Sequence, residues 1–357
     1  MKKINFDKIL IFGGLSSEKA VSIASSQSIS LSFPTMKCIY WDSDNNIYML
    51  DGLDLRLHRN SFKFIFKPIA KNWYANIKDA ILQESTLCNV FIFGLHGGYG
   101  ENGVLQRLLD LYNRKYVNSN SLSSHKSMNK IVSKVEAGKL GLGVASSCCL
   151  FDSSDIVTLS ILSFFFYKYC DGLLKPIAEG SSIGCHLVSG VSIKYSTISV
   201  LRKCRKIFFI IINKLRKERK YSFIEEFING REFTVGVYEY GNKLKALTPI
   251  EICKKKTGIA DYQDKYFGVN ISEEILNDNV NLVKSLKFMA KKVHQILGCQ
   301  GYSRSDFILS RNGKLIYLET NTLPGVSKVS LFPKALNCEN LDLNFLLTYY
   351  VDRIGYL

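Results

Sequence analysis

Twice in its first third the chain runs from an apolar, strand-like stretch through glycines into an amphipathic helix, and this order restricts the fold more than any other feature. Lys8-Ile9-Leu10-Ile11-Phe12 stops at Gly13-Gly14, after which Ser16 and Ser17 can cap a helix with Glu18 in its first turn. Cys88 to Leu95 is a second buried run. It ends at His96-Gly97-Gly98-Tyr99-Gly100-Glu101-Asn102-Gly103, and Val104, Leu105, Leu108, Leu109 and Leu111 follow at helical spacing. Strand, glycine loop and helix in that order imply an α/β fold, with a parallel sheet carrying helices on its faces. In such sheets ligands gather at the loops beyond the carboxyl ends of the strands.

A polar stretch, Asn118 to His125, separates this first unit from the rest. A helix is expected around Met128 to Gly138, then a segment Leu174 to Val188. Tyr221 to Glu226 and Glu232 to Tyr238 are strand-like, and Asn229-Gly230 between them is a hairpin signal. After a helix around Val280 to Leu297 come the strand-like runs Ser305 to Leu309 and Leu315 to Glu319, joined by Ser310-Arg311-Asn312-Gly313. The expected division is a substrate domain over 1–122, a central unit over 123–222 and a C-terminal unit over 223–357.

With 357 residues there is chain enough for two or three cores. No segment reaches the roughly 18 apolar residues of a membrane span; the nearest, Ile156 to Tyr167, is short and broken by Thr158, Ser160 and Ser163. The start of the chain lacks a small-residue cleavage pattern after its apolar run, so no signal peptide is expected. The 10 cysteines are scattered without C-x-x-C spacing, which speaks for reduced thiols in a cytoplasmic protein rather than zinc or disulfides. The formal charge of +16 raises the question of nucleic acid, but nine Lys or Arg against one Glu218 between Arg202 and Lys220 account for +8 of it. That stretch reads as a solvated Lys-rich element around one buried stripe. No motif mixing aromatic and basic residues for RNA accompanies it, so no specific nucleic-acid partner is expected.

Three groups of residues carry chemistry. Lys175-Pro176-Ile177-Ala178-Glu179-Gly180-Ser181-Ser182-Ile183-Gly184 places a lysine at a strand end before a Gly/Ser-rich loop. Small residues let backbone N–H groups approach an anion and the lysine supplies a point charge, although a plain turn has the same composition. Glu319 and Asn321, two apart on a strand, share a face. If that strand pairs with the one holding Asp306, two carboxylates and an amide oxygen converge. These hard ligands suit Mg²⁺ held jointly with phosphates. The alternative is a polar surface hairpin with Arg304 as an ion-pair partner, against which Phe307, Ile308, Ile316, Tyr317 and Leu318 weigh, since they keep the acids from lying in a freely solvated strand. Lastly, Glu225-Glu226-Phe227-Ile228-Asn229-Gly230-Arg231-Glu232 offers acids that can accept from an adenine amino group and ribose hydroxyls, or can simply be a charged surface hairpin.

Together these motifs resemble the D-alanine–D-alanine ligase family. Gly13-Gly14 with Ser17-Glu18 and Val21-Ser22, His96-Gly97 with Gly100-Glu101 and Gly103, and Met128-Asn129-Lys130 match it in order. So do Lys175 to Gly184, Glu225 to Glu232, Asp261-Tyr262 with Lys265-Tyr266, Gly301 to Asp306, and Glu319-Thr320-Asn321-Thr322-Leu323-Pro324-Gly325 with Ser330-Leu331. They span residues 13 to 331.

The resemblance implies an ATP-grasp fold behind an N-terminal parallel-sheet domain, and a cytoplasmic enzyme that joins two D-alanines through an acyl phosphate for peptidoglycan synthesis. Its partners would be ATP and D-alanine, with two Mg²⁺ (Mn²⁺ able to substitute) and a homodimeric assembly. Lys130 and Lys175 would hold the ATP phosphates under a loop of Glu179 to Ser182, and Lys265 would reach the transferring phosphate. Glu225 and Glu232 would bind adenine and ribose, with the backbone around Glu226 and Phe227 reading the adenine edge. Asp306, Glu319 and Asn321 would hold the metals. Glu18 would pair with the ammonium of the first D-alanine near His96, linked by hydrogen bonds to Ser181 and Tyr266. Arg304 and the N–H of Gly325 would steady the tetrahedral oxyanion, and Ser330 with Leu331 would receive the second carboxylate. The stretch Lys254 to Tyr266 is the expected lid. Asn129, Ala20, Val326-Ser327 and Gln263 depart from the family's usual residues without removing a phosphate, metal or oxyanion group. Rivals are a D-alanine–D-lactate or D-serine ligase, against which Tyr266 argues; another ATP-grasp carboxylate–amine ligase; and a non-catalytic nucleotide- or RNA-binding protein.

Overall fold

The computed structural model describes residues 7–69, 72–86, 89–150, 156–169, 171–180, 184–189, 222–254 and 270–355. The first sheet holds β1 (Asp7–Gly13), β2 (Lys37–Trp41), β3 (Ile47–Asp51), β4 (Asn72–Tyr74), β5 (Asn89–Phe93) and β6 (Lys115–Tyr116), in the order β4-β3-β2-β1-β5-β6. Ile9, Leu10, Ile11 and Phe12 of β1 are all fully buried, because this central strand is covered on both faces. The pairs β1–β2, β1–β5 and β5–β6 are parallel as the glycine-loop pattern requires, but β3 and β4 run antiparallel. The cause is the tight turn after β2. The Asp42 carboxylate accepts from the amides of Asp44 and Asn46, each at 2.8 Å, and Asn45 takes a left-handed φ of 68°.

The second sheet is antiparallel throughout, ordered β10-β9-β11-β8, from β8 (Ser147–Leu150), β9 (Asp171–Pro176), β10 (His186–Ser189) and β11 (Ser222–Glu226). The third takes in β7 (Gly143–Val144), β12 (Gly230–Tyr240), β13 (Lys243–Ala246), β14 (Ile250–Lys254), β15 (Ile271–Ile275), β16 (Tyr302–Ser310) and β17 (Leu315–Asn321), ordered β15-β14-β12-β16-β17-β7 with β13 on β12.

Three local expectations need correcting. Asn229-Gly230 does not close a hairpin: β11 and β12 belong to different sheets, and the chain crosses between them at Phe227 to Asn229. Gly230 instead faces Ser310, where an added Cβ would lie 2.2 Å from the Leu309 carbonyl oxygen, so the glycine lets β12 start flush against β16. The helix after Gly14 spans Lys19–Ser32 with Glu18 at its N-cap position and no side-chain cap. Ser16 Oγ accepts from the Glu18 amide at 3.2 Å and donates to the His96 carbonyl at 2.5 Å, so it ties two loops together. The helix expected around Met128 to Gly138 forms as Lys130–Lys139, but a further helix, Ser121–Met128, precedes it over most of the polar stretch, the two being broken at Asn129. The 222/223 division falls at the start of β11, which stays in the second sheet.

The β16–β17 hairpin forms as expected, with Arg304 opposite Asn321 and Asp306 opposite Glu319 before a register shift between Asp306 and Phe307. One apolar cluster runs from Leu10, Phe12 and Tyr40 of the first sheet to Tyr238 and Tyr302 of the third, and includes Phe332, Leu346 and Leu347 of the two C-terminal helices, Leu331–Cys338 and Leu343–Gly355. Among the described residues no helix is long and apolar enough to cross a membrane. Ser181, Ser182, Lys265, Tyr266, the expected lid beyond Lys254 and the basic stretch Arg202 to Lys220 lie outside the described residues.

Candidate active site

A cavity of about 390 Å³ opens between the three sheets, and most of the described candidate residues line it: Glu18, His96, Lys130, Glu179, Glu232, Arg304, Asp306, Glu319, Asn321, Gly325, Ser330 and Leu331. They come from distant parts of the chain, and local geometry explains how each arrives.

Glu18 reaches the cavity because the glycine turn after β1 is tight. Gly13 has φ +89°, and a Cβ there would lie 2.2 Å from the Trp41 carbonyl oxygen. The Glu18 carboxylate is packed between two backbones, since a Cβ on either Gly97 or Gly180 would lie 2.8 Å from its Oε2. His96, at the end of the second glycine-loop strand, shares a 2.8 Å hydrogen bond between Nε2 and Ser25 Oγ, and its Nδ1 lies 3.5 Å from Glu101 Oε1. Ser25 Oγ also accepts from the Val326 amide at 3.2 Å, which fixes the Gly325 loop against the first sheet. A Cβ on Gly325 would come within 2.9 Å of Ser330 Oγ, and Ser330 Oγ shares a 2.7 Å hydrogen bond with Ser327 Oγ.

On the phosphate side, Lys130 opens its helix. Asn129 caps that helix, its Oδ1 accepting from the Ile131 and Val132 amides at 3.1 Å each. An aspartate oxygen would accept the same two bonds, so the departure at Asn129 keeps the cap. Lys130 Nζ donates to the Glu179 carbonyl at 2.5 Å and lies 3.1 Å from Glu319 Oε2. Asp306 accepts from Thr234 Oγ1 at 2.6 Å and from Arg304 Nε and Nη2 at 3.2 and 3.3 Å. Glu232 pairs with Lys254 at 2.5 Å.

The oxygen set fits a hard cation. Asp306 and Glu319 are cross-strand partners, and Asn321 Oδ1 is buried with no hydrogen-bond donor. Among the described residues no three His, Cys, Asp or Glu side chains converge to hold a metal by themselves. Two carboxylates with an amide oxygen, completed by substrate phosphates, are a donor set of the kind Mg²⁺ takes.

Four expected nucleotide contacts, Lys175, Glu225, Glu226 and Phe227, are not on the cavity wall. Lys175 and Glu225 lie diagonally on one face of the β9–β11 pair and touch through Lys175 Nζ and Glu225 Oε1. Lys134 Nζ approaches Glu225 Oε2 at 2.7 Å. Burial alone would raise the Glu225 carboxyl, but the Lys175 and Lys134 ammoniums hold it below the usual carboxylate range. Burial would lower Lys175, yet Glu225 and Glu319 hold it above the ordinary lysine value, whereas burial prevails at Lys134 and lowers it. The Glu226 and Phe227 amides donate to the Ser146 and Asp171 carbonyls at 2.8 and 3.2 Å, so these two N–H groups are already engaged.

Several site neighbours escaped the sequence reading, and spacing would have found three of them. Lys134 is four residues after Lys130 on one helix, Lys334 four after Ser330 on another, and Thr234 two after Glu232 on a strand; the last two line the cavity.

A family model described as the D-ala D-ala ligase C-terminus matches residues 172–352, and one described as the D-ala D-ala ligase N-terminus matches residues 8–119. A D-alanine–D-alanine ligase of Aquifex aeolicus (strain VF5) is 30% identical over 263 residues, covering 73% of this chain and 81% of that protein. One from Halalkalibacterium halodurans is 29% identical over 346 residues, covering 96% of this chain and 97% of its own. Among solved structures, D-alanyl-alanine synthetase A of Vibrio cholerae superposes with a TM-score of 0.76 at 20% identity over 99% of both chains, a likeness of fold.

Proposed function

This chain belongs to the D-alanine–D-alanine ligase family, and on that premise we propose how its residues divide the work of the reaction. It has the ATP-grasp fold and is an ATP-dependent ligase that makes D-alanyl-D-alanine for cell-wall synthesis. A carboxylate is a poor acylating agent. The first D-alanine's carboxylate therefore attacks the γ-phosphate of ATP, giving an acyl phosphate and ADP. The amine of the second D-alanine then attacks the acyl carbon and phosphate leaves.

The observation that carries the assignment of roles is the meeting of an amine-binding carboxylate, Glu18, with the oxygen set Asp306, Glu319 and Asn321 and the cation Lys130 on one cavity wall. Glu18 orients the ammonium of the first D-alanine beside His96. Asp306, Glu319 and Asn321 would hold Mg²⁺, which when bound disperses charge on the phosphates. Lys130, Lys175 and Lys265 take the phosphate oxygens beneath the Glu179–Ser182 loop, and Glu232 takes the ribose. Glu225 would bind the adenine, as the family pattern implies. Arg304 and the Gly325 N–H receive the oxyanion of the tetrahedral intermediate, a task for fixed donors. Ser330 and the N-terminus of its helix with Leu331 receive the second carboxylate. Ser181 and Tyr266 join Glu18 in closing the alanine sites, and the Lys254–Tyr266 stretch is the lid that keeps water from the acyl phosphate.

We retain D-alanine as second substrate over D-lactate or D-serine on the strength of Tyr266. We further propose a cytoplasmic homodimer with no nucleic-acid partner and division near residues 122 and 222. An ADP-release assay over D- and L-amino acids and D-lactate, with products identified, tests the substrate assignment. D-alanine alone should support turnover and give the dipeptide; preferential depsipeptide formation, or turnover with unrelated amino acids only, would refute it.

A further inference from the structure

Glu225 is 2% exposed, and each of its carboxylate oxygens faces a different ammonium, Lys175 at Oε1 and Lys134 at Oε2. A buried cation, Lys134, and a largely buried one, Lys175, around one buried anion leave an excess positive charge that Glu319, itself paired with Lys130, offsets only in part. Such an excess is costly unless another anion arrives. Lys175 is the cation assigned to the nucleotide phosphates, yet here it is engaged with Glu225 and is absent from the cavity wall. A transfer of its ammonium from Glu225 to a phosphate would strand a buried carboxylate unless a second cation stayed behind.

Resting on the assignment of Lys175 to the ATP phosphates, we propose that Lys134 is a positioning residue, the standing counter-charge that neutralises Glu225 when Lys175 transfers from Glu225 to the nucleotide. Its placement suits that task. Lys134 is 4% exposed, lies one helical turn beyond Lys130 and does not line the cavity, so it faces Glu225 without competing for phosphate. At 2.7 Å, Lys134 Nζ and Glu225 Oε2 already form a short ion pair, which stays in place when Lys175 leaves. Burial holds Lys134 below the ordinary lysine value while Lys175 sits above it, so departure of Lys175 strengthens the more weakly held ammonium. No bond is made or broken in this exchange; one ion pair replaces another.

The test compares equilibrium binding of Mg²⁺·ADP with that of adenosine, because only the former calls on Lys175. In Lys134→Met the advantage of ADP over adenosine should fall by roughly 10- to 100-fold, since phosphate binding now strands a buried carboxylate. Lys134→Arg should recover most of it. The double variant Lys134→Met/Glu225→Gln should also recover it, because no buried carboxylate is left to strand. A purely structural lysine would weaken both ligands alike and leave the ratio unmoved. An unchanged ratio in Lys134→Met, or a double variant no better than the single one, overturns the proposal. Lys175→Met separates this from failure of the underlying assignment. If it abolishes the ADP advantage while Lys134→Met does not, the role of Lys134 alone is wrong. If it leaves the advantage intact, the phosphate role of Lys175 falls and the proposal with it.

Discussion

Leaving a buried amide oxygen without a donor costs stability, and Asn321 Oδ1 is such an atom at the mouth of the Asp306–Glu319 pair. A cation repays that cost, which is why the metal assignment rests on Asn321 as much as on the acids. Glu319→Gln should then lower turnover at saturating Mg²⁺ by about 100-fold or more, at least the upper end of what loss of a metal-orienting partner costs. Turnover within a few-fold of the parent enzyme would rule Glu319 out as a ligand. The i, i+2 spacing of Glu319 and Asn321 made this part of the site legible from sequence. Glu225 was not legible in the same way, because its burial depends on Lys175 in a neighbouring strand and Lys134 in a helix of another segment. Its carboxyl is held below the ordinary value, so the folded state gains stability from it above the unfolded carboxyl's pKa, and that gain is lost as pH falls toward the lower folded value. Glu225→Gln should flatten the acid limb of a plot of urea midpoint against pH below about 4.5. An acid limb identical to the parent's would show that Glu225 is not the group responsible.

At the scale of elements, strands and helices with strong periodicity emerged where expected, and the misses came where a residue served two purposes. Asn129-Lys130 looked like the first turn of a helix that followed a loop, but a helix precedes them too, and the Asn129 side chain takes the first amides of the next and breaks the run so that Lys130 projects from a helix start. Removing that cap with Asn129→Ala should cost about 1 kcal/mol of stability. Asn129→Asp should restore it, since a carboxylate accepts the same bonds and favours a helix N-terminus. Equal urea midpoints for the Ala and Asp variants would mean that the break is imposed by packing and not by the cap. Gly230 misled for a related reason. An Asn-Gly pair signals a turn because glycine tolerates tight geometry, but here the missing side chain serves a close approach between β12 and β16 in another sheet. A local pattern cannot tell these uses apart, because the neighbour that decides lies 80 residues away, at Ser310.

The whole molecule shows a coupling that the linear division into three units conceals. Leu10, Phe12 and Tyr40 of the first sheet share a core with Tyr238 and Tyr302 of the third, and the C-terminal helix Leu343–Gly355 packs on the helix Lys19–Ser32. Tyr350 on that C-terminal helix donates its hydroxyl to the Gly301 carbonyl at 2.7 Å and accepts from the Glu239 amide at 3.2 Å, so the helix is fixed to the third sheet as well. The last helix therefore joins the helix that Glu18 opens to the sheet that bears Asp306 and Glu319. Leu347, fully buried in this shared core, is the place to test the coupling. Leu347→Ala should cost about 2–5 kcal/mol through lost burial and a cavity. Both tryptophans, Trp41 and Trp73, lie in the first sheet, on β2 and β4, so their fluorescence reports that sheet's unfolding and not the mutated helix directly. If the sheets stand or fall together, the urea midpoint read by tryptophan fluorescence should drop in parallel with that read by far-ultraviolet circular dichroism. An unmoved fluorescence midpoint beside a lowered circular-dichroism midpoint would mean that the first sheet unfolds on its own. The relative placement of Glu18 and the metal ligands would then depend on the loops around the cavity and not on this shared core.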